Sequence, residues 1–444
     1  MRRCTSLLAL SLATALVTVS ACSKKAAEKE KDQGSDPATA GDPAKDTATT
    51  AGGGGQVEVF SWWTGPGEQE GLDAMIADFK SKNPGVEVIN AAVSGGAGTN
   101  AKAILANRLQ AGNPPDSYQR HAGLELADDI KADKLEDLSS MYEEQGWKDK
   151  MPKGLLEAIT IDGKIYSVPV NIHRANLIWF VPKTLQDLGI SAPPKDWKEF
   201  LTQAAAIKKK GKTPLAIGPQ WTQKHLLETV LLGELGTDKY TGLWNGSTDW
   251  KSAEVKAALE TYKKVLSFSD IKSAAPDWQP ALDRVLDGTA VYTVMGDWAD
   301  AYLGRAKKLA YGKDYNVVAS PGTAGVYDFL SDSFTLPKGA KNRDAAVKWL
   351  IECGSTEGQD LFNPQKGSVP ARTDADKAKY KDYLAAALKD WQDPNTKIVG
   401  SLAHGVVANN AWSAEIDTAL GLFAASGDTG AFAEAVAKSY AATK

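Results

Sequence analysis

The stretch Gln56-Val57-Glu58-Val59-Phe60-Ser61-Trp62-Trp63-Thr64-Gly65-Pro66-Gly67-Glu68 constrains this chain more than any other. Its first five residues alternate polar and apolar β-formers and read as a strand. Ser, Thr, Gly and Pro then make a loop that carries two adjacent indoles and a carboxylate. Leu72, Met75, Ile76 and Phe79 follow at the spacing of one helical face. Strand, loop and helix in that order point to an open α/β sheet, where ligands gather beyond the carboxyl ends of the strands. Two indoles on a polar loop are more than a core needs. At least one is expected to be a platform for a flat, amphipathic ligand, with Glu68 beside it to accept hydrogen bonds. Packing of both rings beneath the loop is the plainer alternative.

The pattern then repeats. A second strand is expected over 86–93, followed by a glycine-rich loop and a helix bearing Ile104, Leu105 and Leu109. In that loop Gly96-x-Gly98-x-x-Ala101 matches a dinucleotide fingerprint superficially, but it follows the second strand and not the first, so no nucleotide cofactor is expected. After the turn Asn113-Pro114-Pro115-Asp116, Gln119 and His121 face the same way if their segment is extended. One helix is expected to carry Leu124, Leu126, Ile130, Leu135 and Leu138. Segments 167–173 and 329–334 read as extended, and strands are expected at 176–181, 214–217, 289–295 and 315–320. Helices follow Trp197, run over 225–235 and 255–266, and fill most of the chain after 345. Two α/β lobes in sequence, joined by extended Pro-bearing segments, imply a cleft between them.

The N-terminus reads as a targeting segment. Met1-Arg2-Arg3 precedes an apolar run at 7–19 that is too short to span a bilayer. Val19-Ser20-Ala21-Cys22 resembles a lipobox, so 1–21 is expected to be a lipoprotein signal peptide and Cys22 the lipid attachment site. A lipid there tethers the protein to a membrane, at the periplasmic or extracytoplasmic face, without spanning it. Residues 22–56 lack large apolar side chains and are expected to form a disordered tether reaching about 30 Å. Cys4 falls in the removed segment and Cys22 carries the lipid, so Cys353 has no intramolecular partner and is expected to be a small buried hydrophobe.

Several chemistries find no support. The net charge of −4 and the absence of a basic run argue against nucleic acid. His121, His173, His225 and His404 show no ligand spacing, so no metal is expected. Nucleophile-elbow and phosphate-loop motifs are missing, and no catalytic residue is assigned. Paired carboxylates for glycoside hydrolysis stay open, because their spacing is spatial.

The motifs Val59-Phe60-Ser61-Trp62-Trp63, Pro114-Pro115-Asp116, Val168-Pro169-Val170-Asn171-Ile172-His173-Arg174, Trp221-Thr222-Gln223, Met295-Gly296-Asp297-Trp298, Ser331-Asp332-Ser333-Phe334 and Lys366-Gly367-Ser368 occur in one order. In that order the chain resembles the bacterial ABC-importer extracellular solute-binding proteins of family 1, and among them the glucose/galactose/mannose-binding type. The resemblance implies an α/β, two-lobe periplasmic-binding-protein fold of type II-like kind with about three hinge crossovers. It places an N-lobe at 57–169 plus 328–370 and a C-lobe at 170–327 plus 371–444. It implies a monomeric, non-enzymatic receptor, free of cofactors, that binds a monosaccharide and docks on the transmembrane subunits of an ABC permease. Trp62 and Trp278 would be the sugar platforms, with Trp63 and Trp298 as further rings. Glu68 and Asp332 would accept from sugar hydroxyls, Glu70 being the alternative to Glu68. Gln119, His121, Lys366 and His404 would donate or bridge. Plainer roles exist: a helix staple for Trp278, a backbone tie for Asp332 and a solvated charge for Lys366. His173 and His225 read as structural, and Asp297 as either a helix cap or a ligand contact. The alternatives are a surface-tethered carbohydrate-active enzyme, or the same fold with an oligosaccharide as cargo.

Overall fold

The computed structural model describes residues 55–95 and 98–443. The signal segment, Cys22, nearly all of the tether, and Gly96 and Ala97 of the glycine-rich loop lie outside the described residues.

Alternating burial turns Gln56–Phe60 into a strand with Val57 and Val59 fully inside. It lies parallel to Glu87–Asn90 on one side and Ser117–His121 on the other. Asp332–Thr335 pairs antiparallel with Ser117–His121, and Ser167–Pro169 pairs antiparallel with Asp332–Thr335, completing a five-stranded sheet. A second sheet orders Asn316–Ala319, Leu177–Phe180, Ala290–Val294 and Thr213–Leu215. A third orders Val369–Pro370, Asn171–Arg174, Val326–Leu330 and Lys397–Gly400.

Two large hydrophobic cores follow from this, with a small third cluster of Ala216, Ala281, Val285 and Ala290. One holds Val57, Leu72, Met75, Phe79 and Trp349; the other holds Phe180, Trp197, Leu231, Tyr262 and Trp412. The helix Glu68–Lys82 supplies Leu72, Met75 and Phe79 to the first core from one face, each 0 % exposed. Burial of each side chain contributes roughly 1.5–3 kcal/mol. In the second lobe, helices start where a side chain catches a free amide: Asp196 accepts from Glu199 N–H, Ser252 from Val255 N–H and Asn409 from Trp412 N–H.

The chain crosses between the first and third sheets at two adjacent places. Ser167–Pro169 runs through Val170 into Asn171–Arg174, and Val326–Leu330 runs through Ser331 into Asp332–Thr335. The crossings are neighbours, because Ser333 pairs with Pro169 and Leu330 with His173. Val369–Pro370 pairs with Ile172 and Asn171 beside them.

The single helix expected to reach Leu138 is not formed. A 3-10 turn, Leu124–Leu126, and a helix, Ala127–Lys131, are followed by Asp133 at φ 55°. The chain then extends so that Leu135 bridges to Pro337. Leu135 and Leu138 are buried, but by an extended segment, so their helix-like spacing misleads. The strand Lys397–Gly400 also stands in the mostly helical C-terminal part, where no strand was expected. Among the described residues, no helix is long and apolar enough to cross a membrane.

Candidate functional site

A cavity of about 390 Å³ is lined by Trp62, Glu68, His121, Trp278, Trp298, Asp332, Lys366 and His404, with His173, Trp221, Lys102, Glu125, Lys224 and Asp417 among its other walls. Eight of the ten ligand-site residues expected from the sequence therefore meet in one slot.

Asp332 is the centre of the polar side. It opens a strand directly opposite His121. Its Oδ1 accepts from Gln119 Nε2 at 2.9 Å and its Oδ2 from Asn171 Nδ2 at 2.8 Å. Its own amide donates to Asn171 Oδ1 at 2.8 Å. Each carboxylate oxygen thus has one fixed donor and a lone pair to spare. His121 Nε2 and His173 Nε2 each stand 3.7 Å from this carboxylate. Burial works to raise the carboxyl, but Lys366, His121 and His173 outweigh it and hold it below the usual range.

Glu68 is the first residue of its helix. Its Oε2 accepts from Gly65 N–H at 3.1 Å and its Oε1 from Lys366 Nζ at 2.9 Å. Glu70 turns away and accepts from Gly67 N–H at 2.6 Å, capping the helix. Glu68, not Glu70, faces the slot. Lys366 ends the helix Thr356–Lys366 with a nearly buried side chain. Burial would lower its ammonium, yet Glu68 and Asp332 raise it above the ordinary value.

The loop after the first strand splits its two indoles. Trp62 lines the slot, its amide donating to Gln119 Oε1 at 3.1 Å and its ring 5.2 Å from that of His121. Lys102 Nζ lies 5.2 Å from the Trp62 ring centroid. Gly98, at φ 95°, lies so close that a Cβ there would sit 2.9 Å from the indole. That approach accounts for this glycine without a nucleotide. Trp63 points the other way. It is 1 % exposed and packs on Phe362 at 4.4 Å and Phe334 at 5.4 Å. Its expected place against the ligand is corrected: alternation along an extended segment sends successive side chains to opposite faces. Gln119 is corrected likewise. It is fully buried behind Asp332 and Trp62, with its amide spent on both.

The opposite side is aromatic, and its indoles stand in the first turns of helices. Trp278 starts Trp278–Leu286 with its ring 5.4 Å from Tyr302; Trp298 starts Trp298–Ala301. Trp221 is the second residue of Gln220–Asn245, and the sequence did not single it out for the site. The Trp298 ring is 5.2 Å from His404 and 5.4 Å from His173; Trp221 is 6.1 Å from His404. His173, read as structural, also lines the slot, while its Nδ1 is held by Asp297. Asp297 neither caps the helix nor lines the cavity; its other oxygen accepts from Arg174 N–H at 3.0 Å. His225 lies behind the wall. Its Nε2 is 2.8 Å from Ala175 O, and burial lowers its ring to about 4. His404 is neutral too: burial, then His225 and His121, push it well below its usual value.

The rims of the slot touch. Arg305 Nη2 donates to Pro364 O at 2.6 Å, and Glu125 N–H to Gly405 O at 2.8 Å. Gly67, at φ 85°, lies where a Cβ would come within 2.5 Å of Gln365 O and 2.9 Å of Ala301 Cβ. Among the described residues no group of three or more His, Cys, Asp or Glu side chains is placed to share a metal ion.

The arrangement offers fixed acceptors, two buried ammoniums, Lys366 and Lys224, and flat apolar faces. It suits a neutral, hydroxyl-rich ring. Nε1 of Trp221 and Nε2 of His173 are buried without a hydrogen-bond partner.

Comparison with known proteins places the chain in a family. The chain is 35% identical over 376 residues to an uncharacterized ABC transporter extracellular-binding protein of Pyrococcus horikoshii, covering 84% of each chain. It is 33% identical over 367 residues to a probable sugar-binding periplasmic protein of Rhizobium meliloti, covering 81% of this chain and 86% of that one. Among solved structures, a chitin oligosaccharide binding protein superposes with a TM-score of 0.76 at 19% identity, over 88% of this chain and 99% of the other. That likeness shows the two-lobed fold. The profile described as bacterial extracellular solute-binding protein matches residues 65–360. On fold, site and sequence, the chain belongs to the bacterial extracellular solute-binding protein family.

Proposed function

We propose that this chain is the sugar-capturing receptor of an ABC importer and that one hexose ring, of the glucose, galactose or mannose kind, seats between Trp62 and the opposing indoles. The observation that carries this reading is the slot itself: a charged acceptor pair, Asp332 and Glu68, faces a wall of Trp221, Trp278 and Trp298. The C–H-rich face of a pyranose covers an indole, while its hydroxyls donate to carboxylates whose other bonds are already fixed. The relative from Rhizobium meliloti, a probable sugar-binding protein, supports the ligand class.

In this reading the lobes, 57–169 plus 328–370 and 170–327 plus 371–444, rotate about the crossings at Val170 and Ser331. Sugar contacts from both sides favour the closed arrangement, which then docks on the permease. Lipid on Cys22 tethers the monomer at the extracytoplasmic face. Turnover is not part of the reading. Asp332 is held ionised, so it is not poised to protonate a leaving group, and Glu68 is tied to Lys366.

Titration calorimetry and Trp fluorescence against hexoses test it. Saturable binding of at least one aldohexose, with no cleavage of oligosaccharides in mass spectra after long incubation, is expected. A folded protein that answers no aldose sinks it. One observation favours a second reading, a longer saccharide with its first ring in the same place. The slot continues past His404 to Lys224, Asn410 and Asp417, and the structural neighbour binds a chitin oligosaccharide. Glucose against maltose, and N-acetylglucosamine against chitobiose, separate the two.

A further inference from the structure

We propose that Glu228, acting through the Ser401 hydroxyl, decides which ring nitrogen of His404 carries the proton, and so whether that ring donates or accepts at the slot. Glu228 is then a positioning residue for the sugar site, and its consequence for affinity rests on the sugar-receptor reading.

The geometry is a three-part relay. Ser401 Oγ lies 3.0 Å from both Glu228 oxygens and 2.8 Å from His404 Nδ1. Glu228 Oε2 also accepts from Ala403 N–H at 2.8 Å, so the carboxylate holds the whole turn that carries His404. All three residues are buried, with Glu228 and Ser401 at 0 % exposure. His404 lines the cavity with Nδ1 already engaged, which leaves Nε2 as its other polar atom.

The hydroxyl has one proton and must choose. With Glu228 ionised, Ser401 O–H donates to it. Oγ then accepts from His404 Nδ1–H, and Nε2 is a bare acceptor. With Glu228 protonated, its O–H donates to Ser401 Oγ, Ser401 O–H donates to Nδ1, and the neutral ring carries its proton on Nε2 as a donor. One proton gained by Glu228 reverses the sense of a bond two residues away, with no heavy atom displaced.

The neighbouring histidines lack this freedom. His121 Nδ1 meets Glu125 directly at 2.6 Å, and His173 Nδ1 meets Asp297 directly. There the acid and the ring nitrogen meet with no hydroxyl between them. Only at His404, among the slot-lining histidines, does a hydroxyl intervene.

The surroundings let the switch work near neutrality. Burial raises the Glu228 carboxyl to about 7, against its bonds from Ala403 and Ser401 and the pull of Lys224. Asp328, on the crossing strand, is fully buried and pushed well above the carboxylate range, by burial first and then by Glu228. On the same helix His225, 3.9 Å from Glu228, stays neutral, and Tyr240 is far from ionising. His404 itself faces His121, His173 and Lys102, all of which oppose its protonation, so the ring changes tautomer and not charge.

Nitrogen-15 histidine spectra of the sugar-free protein test the relay directly, with His404 assigned by a His404→Asn variant. In the wild type, Nδ1 of His404 is expected to be unprotonated at pH 6 and protonated at pH 8.5. Glu228→Gln can donate to Ser401 and still accept from Ala403, so it should hold the low-pH tautomer throughout. Ser401→Ala should abolish the pH dependence, and it carries the test if Glu228→Gln does not fold. In calorimetry against the best aldohexose, wild-type affinity should change about three- to tenfold across this range, the scale of one hydrogen bond, and stay flat in both variants. The same His404 tautomer at both pH values in the wild type, or a Glu228→Gln profile matching it, overturns the relay. Absence of hexose binding in every variant overturns the sugar reading instead, because the spectra need no ligand.

Discussion

The two faces of the slot are built on opposite principles. On the sheet side, the slot-lining groups are strand-end and loop side chains cross-tied to one another and to the residues behind them: Gln119 links Trp62 to Asp332, Asn171 bonds Asp332 twice, and Lys366 joins Glu68. On the helix side, Trp221, Trp278 and Trp298 project from first turns and meet other rings edge-on, tilted or, for Trp221 on His225, stacked, with little hydrogen bonding to fix them. Directional acceptors need preorganisation, because a misaimed carboxylate loses its bond. Flat apolar faces tolerate sliding, because dispersion is shallow and non-directional.

The largest effect should come from behind the sheet side. Trp63→Ala removes a ring packed on Phe334 and Phe362 and should cost about 3–5 kcal/mol in chemical denaturation. Affinity per folded molecule should hardly change. A binding loss out of proportion to unfolding would return Trp63 to the ligand. Next, Asp332→Asn should weaken hexose binding about a hundredfold in calorimetry, the scale for losing charge-assisted bonds. If it costs less than Trp298→Ala, the division of labour drawn above is wrong. Trp298→Ala should cost about tenfold, and Trp298→Phe less, since a smaller ring still offers a face.

The last prediction concerns pH. Burial raises Glu228 from 4.5 to about 7, so the folded state holds this proton more tightly than the unfolded one. Its contribution to stability is full below about 4.5 and is lost as pH rises toward and past 7. Asp332, held below its ordinary value, behaves oppositely: its contribution is present above the usual carboxylate range and falls away in acid. Stability should therefore peak near pH 5 and decline toward pH 8, and Glu228→Gln should flatten that decline. Urea denaturation at pH 5 and 8 measures it.

Much of the sheet side could be read in the sequence. Period-two alternation located the first strand, the loop with Trp62 and the shared facing of Gln119 and His121. What alternation could not say is which member of a neighbouring pair faces the slot. Trp62 and Trp63 differ only in the phase of the segment, and that phase is set by Phe334 and Phe362, hundreds of residues away. His173 was passed over although it follows Asn171 by two in an extended segment, a spacing that puts both beside Asp332. Trp221 carried a local cue as well. Pro219-Gln220-Trp221 repeats the helix-start setting of Pro276-Asp277-Trp278 and Gly296-Asp297-Trp298. The break after Lys131 was invisible, because Leu135 and Leu138 satisfy a helix period while the tertiary pairing with Pro337 decides otherwise. The relay through Ser401 was equally hidden, since its acid lies 173 positions away.

The paired crossings at Val170 and Ser331 have a mechanical corollary. Asn171 and Asp332, each one residue from a crossing, sit on what would be the axle of any lobe rotation. A point on an axle barely travels, whereas the indoles out on the helix starts sweep through an arc. A captured molecule would therefore be interrogated at a stationary post while the walls swing in, and a shape that keeps the walls from meeting would be let go with its grip at the post still intact.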